Sequence, residues 1–575
     1  MKTSIIILTY NKLEYTKQCI ESIRKYTHEN AYEIIVVDNA SQDNTAEWLA
    51  QQTDIVTILN KENRGFPAGC NQGIEVATGN EILLLNNDTI VTQNWLSNLL
   101  KALYSSDEIG AVGCVTNSSS YFQEIDVPYK NIDDMHLFAK DYNISNPLSW
   151  EERLKLVGFC MLIKKSVVEQ IGLLDERFSP GNYEDDDYSI RMRKNGYKLL
   201  LCKDTFIHHY GSTSFKENNA YFNELLEKNA KKFEEKWGFD PIYSQHKRDI
   251  LINLIEADAS SQITVLEVGC ACGGTLLGIK NKFKNSVLYG IELNENSASI
   301  ASLVADVIPH NVENGDLPYP QSSFDYIIFG DVLEHLYDPW KTLENMHRLL
   351  KPDGKILASI PNIMHYSVIN ELLDGKWEYA DAGILDRTHV RFFTLASIQK
   401  MFINSGFVNL DFLGVNLPRD STAVKGLERL SKVAPNEILN QFEVYQYIIS
   451  ACNNQLLDIM NDIKNGHINK QEIFEVTSSQ TNDEILRNVK FLSSVADKVE
   501  VLNTIGVIHF EQGEIAKVLP LFDEALALDE THLEVIYNIA YFLHHIGEEE
   551  LSEEYMLKLK NLDFTWYQKL MEVLV

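Results

Sequence analysis

Glu33-Ile-Ile-Val-Val-Asp38-Asn-Ala-Ser-Gln-Asp43-Asn-Thr45 is an apolar run closed by an acid and followed by residues that start helices. That order marks the carboxyl end of a parallel strand, the place where open α/β sheets bind ligands. Far downstream, Val265-Leu-Glu267-Val-Gly269-Cys-Ala-Cys-Gly273 has the same outline but turns on glycines. The two stretches differ in every detail. The chain is therefore expected to hold two unlike ligand-binding α/β domains.

Working outward from the first stretch, strand-like runs at 4–8, 34–37, 55–59 and 82–85 alternate with helical patterns at 13–25, 45–51, 68–77 and 94–104. Alternation of this kind predicts a largely parallel sheet. Asp38 stands at a strand end, with Asp43 and Thr45 able to cap the next helix. The fourth strand ends in Asn86-Asn87-Asp88, where a carboxylate can hold a hard divalent cation against a pyrophosphate. Gly181-Asn-Tyr183-Glu184-Asp185-Asp186-Asp187-Tyr-Ser-Ile-Arg191 packs four acids at a helix start, more than the helix dipole needs. One of them is a candidate general base, and Asp187 and Arg191 are spaced to pair.

Length and charge bound the rest. A chain of 575 residues suggests three or four domains. The net charge of −31 argues against nucleic acid and anionic membrane surfaces as partners. Eight cysteines show no paired spacing; Cys270 and Cys272 form neither a zinc knuckle nor a redox pair, so a reduced, cytoplasmic protein is expected. No apolar run approaches the ~18 residues of a membrane span, and residues 4–8 are too short for a signal-peptide core.

Residues 1–240 resemble a family 2 glycosyltransferase of the GT-A fold, of the rhamnosyltransferase-like kind. The resemblance is carried by Thr9-Tyr10-Asn11, Val37-Asp38-Asn39-Ala-Ser41, Asn63-Arg64-Gly65-Phe66 with Asn71-Gln-Gly73, Asn86-Asn87-Asp88, Gly158-Phe-Cys-Met161, Leu174-Asp175-Glu176-Arg177-Phe178, Glu184-Asp185-Asp186-Asp187 and His208-His209. It implies that Asp38 receives the nucleotide base, flanked by Thr9, Tyr10 and Asn11, and that Asn63, Gly65, Asn71 and Asn87 complete the nucleotide-sugar site. It also implies that Asp88 is the metal carboxylate and Asp185 the base of an inverting transfer. The first acid of the Asp-x-Asp motif is Asn86 here, which offers a carbonyl oxygen but no charge. His208 or His209 is then a candidate further ligand, and a histidine beside a carboxylate favours Mn²⁺ over Mg²⁺. dTDP-rhamnose and UDP-sugars are the leading donors. Residues 116–150, rich in Asn, Ser, Asp and Tyr with little periodicity, read as an irregular lid toward the acceptor.

In the second stretch, the glycines let backbone approach a ligand at a helix start. Glu292, about 20 residues on, is placed for ribose hydroxyls. Position 271 is Ala, so the dinucleotide fingerprint is absent and NAD is disfavoured. Residues 241–416 resemble a class I S-adenosylmethionine (SAM)-dependent methyltransferase. The matching residues are Glu267-Val-Gly269-Cys-Ala-Cys-Gly273, Gly290-Ile-Glu292, Phe324-Asp325-Tyr-Ile-Ile-Phe-Gly330-Asp331-Val-Leu-Glu334-His335-Leu and Leu349-Leu-Lys-Pro352-Asp-Gly354. The resemblance implies a SAM site of Glu267, Gly269, Gly273, Glu292, Asn311 and Asp331, with Asn311 to Glu313 near the adenine. Ile360-Pro361-Asn362 and Gly383-Ile-Leu-Asp386-Arg387-Thr388-His389 read as the acceptor side. Oxygen methylation requires a proton acceptor, for which Asp331, His335 and His389 are candidates.

Residues 417–495 read as a helical linker without strands. Residues 496–575 carry a 34-residue period, with Gly506 and Ala540, Gly513 and Gly547, and Asp529 and Asp563 in register. That spacing resembles tetratricopeptide helix pairs and suggests a protein partner or self-association. The whole reads as a bifunctional enzyme that transfers a sugar to a glycan or glycoprotein such as flagellin and methylates the product. The alternative is a non-catalytic scaffold that recruits partners through the helical tail.

Overall fold

The computed structural model describes residues 2–211, 219–242 and 245–574. The chain divides into two compact units, Met1–Asn314 and Gly315–Val575.

The first unit opens with β1 Thr3–Thr9, β2 Tyr32–Asp38, β3 Ile55–Leu59 and β4 Glu81–Asn86. It continues with β5 Thr89–Ile90, β6 Ile109–Val115, β7 Trp150–Arg153, β8 Cys160–Lys164, β9 Lys198–Phe206 and β10 His208–His209. Eight of these form one sheet in the order β3-β2-β1-β4-β8-β6-β9-β7. β1 pairs in parallel with both β2 and β4. The chain thus winds outward from β1 to β3, then returns to β4 on the other side. This reversal opens a crevice at the carboxyl ends of β1 and β4, where an α/β sheet binds its ligand. Ile5, Ile7, Val36 and Leu83 fill the core on one face, and Ile6, Ile35, Ile82 and Leu84 fill the other. Burial on both faces explains why the strands read as continuous apolar runs rather than alternating ones.

The sequence reading of 116–150 as irregular is corrected by a helix, Ile132–Tyr142. Asn131 caps it by accepting from Asp134 N–H, and Met135 and Ala139 enter the core. Only two buried positions serve an 11-residue helix whose other residues are polar or aromatic, so its periodicity is faint.

The first unit ends with three parallel strands, β11 Thr264–Val268, β12 Val287–Glu292 and β13 Asp306–Pro309, in the order β13-β12-β11. In the second unit, β14 Phe324–Gly330 pairs in parallel with β15 Leu350–Pro361. β15 pairs antiparallel with β17 Val444–Asn453, which pairs antiparallel with β16 Phe407–Asn416. The expectation of helix alone after residue 416 is therefore corrected at β17. Val444-Tyr-Gln-Tyr-Ile-Ile-Ser-Ala is β-branched and aromatic, but it is flanked by polar helical stretches that mask it.

Beyond β17 the described residues are helical, and the 34-residue period has a structural counterpart. Val495–Glu511 packs on Ile515–Leu528, and Leu533–His545 on Glu549–Leu562. Gly513 and Gly547 make the turns within each pair at φ 82° and 86°, a conformation cheap only for glycine. Gly506 lets the first two helices close up: a Cβ there would lie 2.5 Å from the Phe522 ring.

Candidate active sites

A cavity of about 1150 Å³ opens at the β1/β4 crevice of the first unit. Leu8, Tyr10, Asn63 and Gly65 line one side, Asn86, Asn87, Asp88 and His209 another, and Gly158, Glu184, Asp185 and Asp186 a third. Gly65 is required by the backbone, because its φ is 84° and a Cβ would lie 2.8 Å from Pro180 Cα.

Asp185 sits in the first turn of the helix Glu184–Lys194. Its Oδ2 accepts the Gly158 N–H at 2.9 Å and its Oδ1 accepts the Asp186 N–H at 3.0 Å. Burial, and next the charge of Asp186, raise its pKa to about 6, against the opposing pull of Lys155 and the Gly158 N–H. Burial and Asp185 also push the neighbouring Glu184 well above the carboxylate range. Asp186 instead binds Lys155. Asp187 is fully buried and ion-paired to Arg191 at 2.9 Å, with Trp237 Nε1 donating to it at 3.0 Å. The four-acid run thus separates into different tasks, and Asp185 alone joins a raised pKa to a half-buried place on the cavity wall.

His209 Nε2 lies 3.1 Å from Asp88 Oδ1. Its Nδ1 donates to the Ser118 carbonyl at 2.7 Å, and its ring stacks on Phe159 with centroids 5.1 Å apart. In the neutral ring, Nε2 then holds a lone pair beside a carboxylate, with the Asn86 amide nitrogen also 3.5 Å from it. Asp88 and His209 thus fit a divalent metal, with the Ser118 carbonyl fixing the tautomer from behind.

The structure does not bring every expected residue to this cavity. His208 faces the other way, as adjacent strand residues must. Its Nδ1 is bound to the Tyr129 hydroxyl at 2.8 Å, and burial lowers its pKa to about 4. Asn71 is buried and clamps the loop before the acidic helix, donating to Leu174 O and Glu176 and accepting from Leu174 N–H. Asp38 is 2% exposed and accepts from Ser41 N–H at 3.2 Å and from the Ser41 hydroxyl. Thr9 bonds Thr16 at 2.9 Å, and Asn87 donates to both threonines. Asn11, at φ 58°, is tied to Ser41 and Gln42. Thr9, Asn11 and Asp38 therefore shape the loop that carries Tyr10 and Asn39 to the cavity.

Ser118 to Phe122, inside the segment read as a lid, line the cavity, whereas sequence reasoning missed Lys155, Pro241, Ile242 and His246. Tyr121 and Phe122 both have positive φ. Gln245, 3% exposed, accepts from the Tyr121 hydroxyl and reaches Asp186 at 3.4 Å. These come from loops distant in sequence, with no motif to flag them.

In the last part of the first unit, β11 ends in the turn Gly269–Gly273, with Gly269 at φ 68° and Gly273 at φ 83°. A Cβ on Gly273 would lie 3.2 Å from Ala301 Cα, and one on Gly290 2.7 Å from Cys270 Sγ. Glu292, at the end of β12, accepts Ala271 N–H at 2.7 Å and Asn294 N–H at 2.8 Å, which fixes its carboxylate while leaving further lone pairs. Glu267 is 1% exposed, and burial raises its pKa to about 7 against the pull of Arg248, the Thr275 hydroxyl and the Leu276 N–H. Asn311 Oδ1 accepts Glu313 N–H at 3.0 Å. A close-packed glycine turn, a buried carboxyl and a pinned second carboxylate fit the amino-acid and ribose ends of SAM.

In the second unit, Asp331 directly follows β14 at φ 55°. It exchanges hydrogen bonds with Ser359 at 2.9 and 2.7 Å and accepts from Gln446. His335 and His389 stand edge to face, with ring centroids 4.7 Å apart. Burial and the His389 ring lower the pKa of His335.

Residues 4–172 match glycosyl transferase family 2. Glycosyltransferase GlyG of Streptococcus pneumoniae is 35% identical over 215 residues, which span 36% of this chain and 67% of GlyG. The chain belongs to the family 2 glycosyltransferases. Residues 226–411 of this family 2 transferase match a methyltransferase domain family. The O-antigen biosynthesis protein RfbC of Myxococcus xanthus is 26% identical over 229 residues, 37% of this chain but only 18% of RfbC. Among solved structures, a SAM-dependent methyltransferase of Thermotoga maritima, described as a possible histamine N-methyltransferase, covers 36% of this chain and 86% of that one. It superposes with 17% identity and a TM-score of 0.26. No helix among the described residues is long and apolar enough to cross a membrane.

Proposed function

We propose that this chain performs two consecutive steps on one glycan: inverting transfer of a sugar from a nucleotide-sugar, then O-methylation of the product with SAM. The observation that carries the first step is the single cavity holding both Asp185, with its pKa raised to about 6, and the Asp88–His209 pair. A base of that pKa is largely ionised at neutral pH and takes the acceptor hydroxyl proton as the oxygen attacks. Asp88 and His209 would hold the divalent metal, Mn²⁺ by the choice of ligands, which neutralises charge on the departing nucleotide diphosphate. Tyr10, Asn39, Asn63 and Gly65 then flank the nucleotide.

For the second step, Gly269, Gly273, Glu267, Glu292 and Asn311 bind SAM. Asp331, His335 and His389 belong to the acceptor side. We divide the chain as transferase 1–240, methyltransferase 241–416, linker 417–495 and tetratricopeptide-like tail 496–575. Fusion raises the local concentration of the sugar product at the second site. dTDP-rhamnose or a UDP-sugar is the donor class. The acceptor is a bacterial surface glycan, or a glycoprotein such as flagellin that the helical tail would engage, and catalysis takes place in the cytoplasm. The test is Mn²⁺-dependent hydrolysis of UDP- and dTDP-sugars together with binding of labelled SAM. Either activity alone would leave half of the proposal standing; neither would reduce the chain to a scaffold.

A further inference from the structure

Among the described residues, one group of metal-capable side chains has ligand atoms from three residues within 4.8 Å of one another: Glu334, His335 and His389. Glu334 and His335 lie in the short turn Leu333–His335 that follows β14, and His389 comes from a loop more than fifty residues later. The two segments are tied together, because the N–H groups of Val390 and Arg391 both donate to the Glu334 carbonyl at 3.0 Å. His389 Nε2 stands 4.0 Å from Glu334 Oε1.

The tautomers follow from the surroundings. His335 Nδ1 faces the Thr388 carbonyl at 3.2 Å, and His389 Nδ1 faces the Ile384 carbonyl at 2.9 Å. A carbonyl only accepts, so each Nδ1 carries a hydrogen, and in the neutral rings each Nε2 keeps its lone pair. A backbone carbonyl behind Nδ1 is the outer-shell arrangement that orients metal-binding imidazoles. Glu334 is 1% exposed, whereas His335 is half-buried. The group therefore offers an oxygen and two nitrogens, with its open side at His335.

We infer that Glu334, His335 and His389 bind a divalent transition-metal ion whose open positions take the hydroxyl oxygen of the methyl acceptor. Two imidazoles and one carboxylate select Zn²⁺, Mn²⁺, Fe²⁺ or Co²⁺ over Mg²⁺. Three protein ligands leave sites for substrate, as catalytic rather than structural metal centres do. The role given to the ion rests on the methyltransferase reading of this region; its binding does not. In this arrangement His335 and His389 hold the cation and do not themselves accept the proton.

The test counts Co²⁺ bound to the full chain and records its visible spectrum, with SAM affinity measured by calorimetry on the same samples. Wild type should bind two Co²⁺. His335→Gln with His389→Gln should bind one, with at least a tenfold loss of affinity at the lost site. Asp88→Asn with His209→Gln should also bind one. Because His389 is buried, the single His335→Gln chain, altered on the open side, guards against misfolding. In addition, Cu²⁺ loaded on the Asp88→Asn/His209→Gln chain should show hyperfine splitting from two nitrogens in electron paramagnetic resonance. If wild type binds no Co²⁺ that the His335 and His389 substitutions weaken, or Cu²⁺ shows no such nitrogens, the cation site is refuted. Failure of SAM to bind, with cobalt still present at this site, would overturn the methyltransferase reading and leave the cation site standing.

Discussion

His209 Nε2 lies 3.1 Å from Asp88 Oδ1, while Nδ1 of the same ring is bound to the Ser118 carbonyl. His208, its neighbour in the chain, is turned to the Tyr129 hydroxyl. One imidazole of the pair is thus arranged as a ligand and the other as a packed hydrogen-bond partner. His209→Ala should lower Mn²⁺ affinity about 10- to 100-fold, the usual effect of losing a member of a metal site's support. His208→Ala should leave Mn²⁺ affinity within about twofold and lower stability by about 1–3 kcal/mol, since it strips the Tyr129 hydroxyl of a buried partner. Metal titration and thermal melting on both variants check this; equal loss of metal binding would contradict it.

With Asp185 as the proposed base, the transferase acquires a pH dependence. The carboxylate form accepts the proton, so activity should fall as pH drops through about 6 and level off above it. An ordinary exposed aspartate would hold its activity to near pH 4. A pH profile of sugar transfer under saturating Mn²⁺ distinguishes the two.

The pinned carboxylate of Glu292 makes a separable prediction. Glu292→Ala removes two backbone contacts to the turn at Ala271 and Asn294, as well as the proposed ribose acceptor. SAM affinity should fall about 10- to 100-fold, in line with roughly 1.5–3 kcal/mol for hydrogen bonds to a charged group. Sugar transfer should be unaffected. Calorimetry with SAM beside a transfer assay reads both.

In the tail, Gly506→Val would drive a side chain into the Phe522 ring. Overpacking of this kind costs about 1–3 kcal/mol, so melting of the helical region should come at lower temperature. Sugar transfer measured below that transition should not change.

The backbone logic of both α/β regions was legible in the sequence because buried parallel strands are continuous apolar runs. Asp38, Asn86 to Asp88 and Gly269 to Gly273 stand at or just beyond the ends of such runs. The adjacent Asp186 was legible, but the raised pKa of Asp185 was not, since it depends first on burial and also on Lys155, which only the fold brings together. His208 and His209 are identical in sequence terms and are told apart only by which face of a two-residue strand each occupies. Asn71 looks like a ligand residue in its motif, yet its amide is taken up by Leu174 and Glu176, about a hundred residues away. β17 was hidden by its polar neighbours, and Gln245 and Tyr121 lie in loops without periodicity.

The central claim is that one chain adds a sugar and then methylates that same glycan. Mass spectrometry of surface glycans tests it most directly, comparing cells that lack the chain, cells that carry it and cells that carry Asp185→Asn. The account predicts that one sugar and its methyl group disappear together in the first case, return together in the second and stay absent in the third. Loss of the methyl group alone, or its return with Asp185→Asn, would contradict it.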